Sequence, residues 1–442
     1  MTRRRAFVAM FVFAISVVAP LAAAGMAGTA SAQTATTAAT TTTTPKGPGI
    51  YGVLSAGDKP VAGVHIVVRR GAQQVGEATS DAAGRFDIRV PGPGTYRVTL
   101  DTKTIPKGFE LVNPKRTELP NFLVFGTIRQ RVLFPFKGGA AAKVENRFDR
   151  ILNLIVSGLR FGLIVGVCSV GLSLVYGTTG LVNFAHGELV TLGALIAWFF
   201  NANTGGPRLT LIVAALLAVV LSGALGGALD LGLWRPLARK RTGAVSRMLV
   251  SIGLALFLRY LYQVVFGGTP RTFRQYAAQG PTSFGPITQP VRNYIVMVVC
   301  AAALVLVALA LERTRLGTAV RAVADERDLA EASGIDVRRV ITVVWAGGAA
   351  LTGLGGILLA LTEGVQWNMG FRLLLTMFAA VVLGGLGSAY GAMAGALVVG
   401  VASELSTYWI DPDFKFAVAL LILIVVLLFR PQGILGVRSR VG

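Results

Sequence analysis

Nine apolar stretches run through the last two-thirds of the 442-residue chain, at approximately 151–175, 178–200, 209–233, 248–266, 293–311, 340–362, 372–387, 391–410 and 416–429. Most reach the roughly 20 residues that a helix needs to cross about 30 Å of hydrocarbon. The seventh and ninth are short and the seventh is Gly-rich, and such segments require neighbouring helices to cover their backbone. The pattern predicts a polytopic α-helical membrane protein with eight or nine transmembrane helices. Composition agrees: 53% of residues are hydrophobic and 14% charged, where a soluble domain carries about 25% charged. Two Cys and two His leave no basis for a disulfide framework or a zinc module, and no metal or cofactor is expected.

A net charge of +21 would suggest a nucleic-acid partner in a soluble protein, but position decides its meaning. Loop 234–247 holds Arg235, Arg239, Lys240, Arg241 and Arg247. Loop 312–339 holds Arg313, Arg315, Arg321, Arg327, Arg338 and Arg339, and the tail holds Arg430, Arg438 and Arg440. The alternate loops hold fewer: Arg208, Arg271, Arg274, Arg292, Arg372 and Lys415. Positive charge favours the cytoplasmic side of short loops, so the first set, and the C-terminus, are expected inside. No nucleic acid is implied.

The N-terminal third is organised differently. Arg3, Arg4 and Arg5, an apolar run from Ala6 to Ala19 and the small residues Ala30-Ser31-Ala32 read as a signal peptide over 1–32. A Thr-rich linker follows over 33–49. In the next segment the period changes to two: Val64, Ile66 and Val68; Phe86, Ile88 and Val90; Tyr96, Val98 and Leu100. Turn signals separate these runs at Asp81–Gly84 and Pro91–Gly94. One buried face per strand predicts a small antiparallel β-sandwich, here over 50–148 and exported, ahead of a membrane domain over 149–442. Pro60–Val64, Asp81–Phe86 and Gly94–Tyr96 resemble carboxypeptidase regulatory-like β-sandwich domains, which implies fold and not activity. His65 is expected to be a solvent-facing strand residue.

Within the membrane domain, the stretch Val175–Glu188 concentrates polar groups among glycines. Ionisable side chains in hydrocarbon cost roughly 2.5–3.5 kcal/mol on insertion scales, so they need a partner or a path. Tyr176, Asn183, Phe184, His186 and Glu188 are candidate pathway or gate residues; a hydrogen-bonded clamp between helices is the competing reading. Arg160, placed at a similar expected depth, is the candidate partner of Glu188, or else snorkels outward. No nucleophile elbow and no second carboxylate close in sequence accompany them, so no catalytic residue is assigned. Cys168 and Cys300 are expected to fill space.

Loop 312–339 carries six acids against six arginines and is expected to form one short helical patch ended by Gly334. Charge balance and an Ala-rich face suit docking to a protein better than docking to anionic lipid. The run Val382–Gly400 spaces small residues for close helix packing, with a ligand-facing unwound turn at 384–387 as the secondary reading.

Taken in order, Asn183-Phe-Ala-His-Gly-Glu188, Asp230, Trp234-Arg-Pro236, the Asp325–Ile335 loop, Leu383-Gly-Gly-Leu-Gly-Ser388 and Arg430-Pro-Gln-Gly-Ile-Leu435 resemble permease subunits of branched-chain amino acid ABC importers of the LivH type. The resemblance runs from about Ile151 to Gly436. It implies a transport subunit of the cytoplasmic membrane that is not itself an enzyme, working with two ATPase subunits, a second permease subunit and an extracytoplasmic substrate-binding protein, surrounded by membrane lipid. Arg321, Asp325, Asp328, Ala332 and Gly334 then match the family's ATPase-coupling helix. The exported β-domain and Arg160 depart from the family pattern, and related permeases carry urea or short amides. An ion-coupled secondary transporter, with Glu188 as proton site, and a cell-envelope anchor built around the β-domain are the alternatives from other classes.

Overall fold

The computed structural model describes residues 49–430 and 433, apart from 57–58, 72, 93, 112–116, 125–129, 133, 135, 138–146, 203–205, 241 and 277–280. The expected signal peptide, nearly all of the linker and most of the Arg430–Leu435 ending lie outside the described residues. The chain divides at Phe148/Asp149 into two units.

In the first unit, the four-stranded sheet takes the order β3-β2-β5-β6 (β2 His65–Arg70, β3 Gln73–Thr79, β5 Gly94–Leu100, β6 Glu118–Val124). A three-stranded sheet takes the order β7-β1-β4 (β1 Gly49–Val53, β4 Arg85–Arg89, β7 Gln130–Val132). The alternation read from sequence is borne out residue by residue: Phe86 and Ile88 of one sheet and Ile66, Val68, Tyr96 and Val98 of the other share one core. The antiparallel expectation fails at one edge, where β1 and β7 run parallel. Asp81 builds its turn by accepting hydrogen bonds from the Ala83 and Arg85 amides at 2.9 and 2.7 Å. His65 is half-buried, its Nε2 3.6 Å from Glu77.

The second unit is helical. Six described helices are long and apolar enough to cross a membrane. They are α1 (Arg147–Thr179), α3 (Leu211–Leu229, continued to Arg239 through the short α4, Arg235–Arg239), α5 (Ala244–Phe266), α6 (Val291–Arg313), α9 (Val337–Glu363) and α11 (Ala389–Ser406). Two shorter apolar helices, α10 (Met369–Gly384) and α12 (Lys415–Phe429), and α2 (His186–Asn201), whose first turn is polar, lie among the described residues of the bundle. Small residues set the spacing of the central helices α2, α3 and α9, which lets their backbones approach. The outer faces of α5, α6 and α12 expose Phe257, Val264, Val298, Leu306 and Leu428, as a lipid-facing surface does.

Three local features depart from expectation. The second span begins at His186, because α1 continues to Thr179 and residues 180–185 form a non-helical link. Gly180, at φ +63°, lets the chain leave α1 in a left-handed conformation. Loop 312–339 forms two helices rather than one patch, α7 (Arg315–Asp325) and α8 (Arg327–Ala332), with extended backbone at Glu326 between them. Gly334 does end α8, at φ +85°, with the Ile335 amide returning to the Ala330 carbonyl at 3.1 Å. A hairpin of β8 (Pro281–Phe284) and β9 (Ile287–Pro290) has no counterpart in the sequence reading. It is held to α1 by Asn153, which bonds the Pro286 carbonyl and the Thr288 amide.

Candidate functional site

The link 180–185 and the first turn of α2 bring four of the singled-out residues together. The Asn183 side chain turns the chain into α2 by accepting from the Ala185 amide at 3.0 Å, and its carbonyl accepts from the His186 amide at 3.3 Å. The Phe184 amide donates to Ser251 Oγ on α5 at 3.1 Å, and the Phe184 ring packs on Phe378 with centroids 5.2 Å apart. His186 is fully buried, its Nε2 2.8 Å from Thr352 Oγ1 on α9. One turn of helix therefore touches α5, α9 and α10.

Glu188 is 1% exposed. Its Oε1 accepts from Arg259 Nε and Nη2 at 3.1 and 3.0 Å, and its Oε2 has no hydrogen-bond partner among the described residues. Arg259 in turn lies over the Phe371 ring, 3.8 Å from the centroid. The expected Arg160–Glu188 pair is thus corrected. Because α2 starts at residue 186 rather than 178, Glu188 sits in a first turn facing α5. The charges acting on Arg160 are Glu404, Glu363 and Arg292, not Glu188. Arg259 was legible in principle: it is a lone arginine inside an apolar span, open to the same argument that singled out Glu188.

Three further acids among the described residues of the bundle are neutralised in the same way. Asp230 lies in a π-helical turn that interrupts the third span, a local irregularity common at functional positions. It accepts from Thr342 Oγ1 at 2.7 Å and Arg235 Nη2 at 3.3 Å. Glu404 and Glu363 share Lys415, at 3.3 and 3.1 Å. Each buried carboxylate has a cation, which is what desolvation in hydrocarbon demands.

Tyr176 separates from this group. It lines a cavity of about 720 Å³ with Gly177, Arg321, Asp325, Gly387 and Tyr390, between the end of α1, α7 and the start of α11. Two of the residues expected in coupling, Arg321 and Asp325, thus share a cavity with a residue expected in the pathway. Asp328, Ala332 and Gly334 are exposed on and after α8, as is Leu329 at 65%. The turn expected at 384–387 is present: α10 stops at Gly384, Gly385 and Gly387 have φ +108° and +86°, and Ser388 caps α11 by accepting from the Gly391 amide at 3.0 Å. On the opposite end of the bundle, burial lowers the pKa of the Arg271 guanidinium, which rests on Trp198.

A family model described as branched-chain amino acid transport system / permease component matches residues 154–427. The high-affinity branched-chain amino acid transport system permease protein LivH of Salmonella typhimurium is 29% identical over 303 residues, covering 66% of this chain and 98% of its own. The corresponding permease protein BraD of Pseudomonas aeruginosa is 31% identical over 295 residues, covering 64% of this chain and 95% of its own. A more distant relative, the permease protein LivM of Escherichia coli, is 24% identical over 296 residues, covering 61% and 67%.

Proposed function

The chain belongs to the branched-chain amino acid transport system permease component family, and from that premise we propose that it is the permease subunit of an ATP-binding cassette importer that carries branched-chain amino acids across the cytoplasmic membrane. Two ATPase subunits, a second permease subunit and an extracytoplasmic binding protein complete the machine. The β-domain faces outward and the C-terminus inward, an orientation supported by the bias of arginines toward loops 234–247 and 312–339. ATP hydrolysis takes place in the partners; this chain supplies the path and the mechanical link.

The observation that carries the reading is the polar first turn of α2, buried inside the family-matched bundle. A branched-chain amino acid presents an ammonium, a carboxylate and an apolar side chain. Glu188, with one carboxylate oxygen unpartnered among the described residues, and Arg259, stacked on Phe371, offer one complementary group for each charge beside an aromatic face. The pair is held closed by mutual attraction, so a zwitterion that takes both partners replaces their charge compensation instead of leaving either bare. His186 and Asn183 fix the backbone that aims Glu188. At the other end of the link, Arg321, Asp325, Asp328, Ala332 and Gly334 belong to the element that meets the ATPase. The cavity shared by Tyr176, Arg321 and Asp325 is where motion of that element reaches α1 and α11.

Reconstitution with the ATPases, second permease and binding protein in liposomes tests this. ATP-dependent uptake of leucine, isoleucine or valine, with urea and acetamide excluded, is expected. Uptake by this chain alone on a proton or sodium gradient would overturn it in favour of a secondary carrier.

A further inference from the structure

Loop 234–247, whose positive charge serves orientation, also closes over a cavity that the transport reading leaves unused. The space, about 190 Å³, is lined by Arg235, Arg239, Arg247, Arg327, Arg338 and Asp230. The single carboxylate is already engaged, since Asp230 Oδ2 accepts from both Thr342 and Arg235. Arg239, Arg247, Arg327 and Arg338 form no ion pair among the described residues. Four like charges brought to one small space repel unless an anion joins them.

The floor of the cavity adds buried donors. Trp234 and Trp345 stack with centroids 5.7 Å apart, are 4% and 1% exposed, and line the same space. Both indole N–H groups, and Nε of Arg247, are buried without a hydrogen-bond partner among the described residues. An indole N–H and a guanidinium only donate, so every unsatisfied group at this site calls for an acceptor. Guanidinium forks match the oxygens of a phosphate, with its spread negative charge, better than any neutral ligand.

We propose that this cavity is a binding site for a phosphate group, held by Arg239, Arg247, Arg327 and Arg338 over the Trp234–Trp345 stack. The headgroup of an anionic phospholipid and a soluble phosphate share this chemistry. The four arginines come from the end of the third span, α5, α8 and the start of α9, so an occupied site fastens the short helix α8 to the bundle and stiffens the link through which α8 moves it.

The full chain, purified in detergent, is titrated with inorganic phosphate and, separately, with dioleoyl phosphatidylglycerol against dioleoyl phosphatidylcholine, with bound species read by native mass spectrometry. Saturable binding of inorganic phosphate or preferential retention of phosphatidylglycerol is expected, and which of the two occurs identifies the source. R239Q/R247Q is expected to weaken that binding about tenfold or more, some 1.4 kcal/mol. R327Q, on exposed α8, is expected to weaken it without touching the bundle, should the double variant fold poorly. Absence of saturable binding to either probe, or equal binding by wild type and R327Q, overturns the proposal. So does a loss of ATPase affinity in R327Q with phosphate binding unchanged, which would make the cavity a protein contact.

Discussion

Glu188 and Arg259 join α2 to α5 through one carboxylate oxygen and two guanidinium nitrogens, at 3.1 and 3.0 Å, in a place where the acid is 1% exposed. Removing either partner leaves the other charge buried and uncompensated, at a cost of about 3–5 kcal/mol. Glu188→Gln and Arg259→Gln are therefore each expected to lower the unfolding temperature in detergent markedly. The double variant Glu188→Leu/Arg259→Leu, which removes both charges, is expected to recover most of that stability. Transport separates the two roles of the pair. The stable double variant is expected to be inactive; normal uptake by it would reduce the pair to a clamp between helices and remove it from the path.

His186 makes a narrower claim. Its Nε2 meets Thr352 Oγ1 at 2.8 Å, and the same hydroxyl donates to the Gly348 carbonyl at 2.7 Å. Thr352→Val keeps the shape but strips a fully buried imidazole of that partner, with an expected cost of about 1–3 kcal/mol. Thr352→Ser keeps the hydroxyl and is expected to stay within about 1 kcal/mol of wild type by the same measure. Equal stability of the Val and Ser variants in thermal melts would remove Thr352 from the account.

The crossing of α2 and α10 rests on two residues without side chains. A Cβ on Gly187 would lie 2.7 Å from the Gly370 carbonyl oxygen and 2.9 Å from Leu374 Cβ. The Gly370 amide donates to Thr191 Oγ1 at 3.0 Å. Gly187→Ala must push the two helices apart and is expected to cost about 1–3 kcal/mol. Because the same turn positions Glu188, uptake is expected to fall more steeply than stability. A melting curve and a transport rate both within error of wild type would show that the crossing can relax.

Much of the fold was legible because its causes are local. The alternation that buries Ile66, Val68, Phe86 and Ile88 follows from strand geometry alone, and the apolar runs follow from the thickness of a bilayer. The link 180–185 was not legible as a break, because Leu181, Val182, Phe184 and Ala185 are apolar and continue the hydropathy of the span. Only Gly180 and the side-chain hydrogen bond of Asn183 mark it. At the site, the sequence singled out Glu188 by cost but not its partner. Pairing between helices 71 residues apart depends on rotation and register, which a shift in the start of α2 from 178 to 186 was enough to change. The β8–β9 hairpin was hidden for a related reason: it is held by Asn153 on a distant helix rather than by any strong alternation of its own.

The short helix α8 gives the last prediction. Its Ala330 is 4% exposed and packs into the core of the bundle, whereas the next side chain back, Leu329, is 65% exposed. An apolar side chain left mostly exposed contributes little to the fold, so Leu329→Asp is expected to change thermal stability by no more than about 0.5 kcal/mol. If α8 seats in the ATPase, the same change puts a charge into that contact. Co-purification of the ATPase and ATP-dependent leucine uptake are then expected to fall together, while the detergent-solubilised chain keeps its melting temperature. Gly334→Ala is the complementary change. At φ +85° an alanine strains the stop of α8 by about 1 kcal/mol, which should tilt the helix and weaken coupling without adding charge. Full ATPase association and uptake in both variants would leave α8 without a coupling role and return the loop to a solvated connection between α6 and α9.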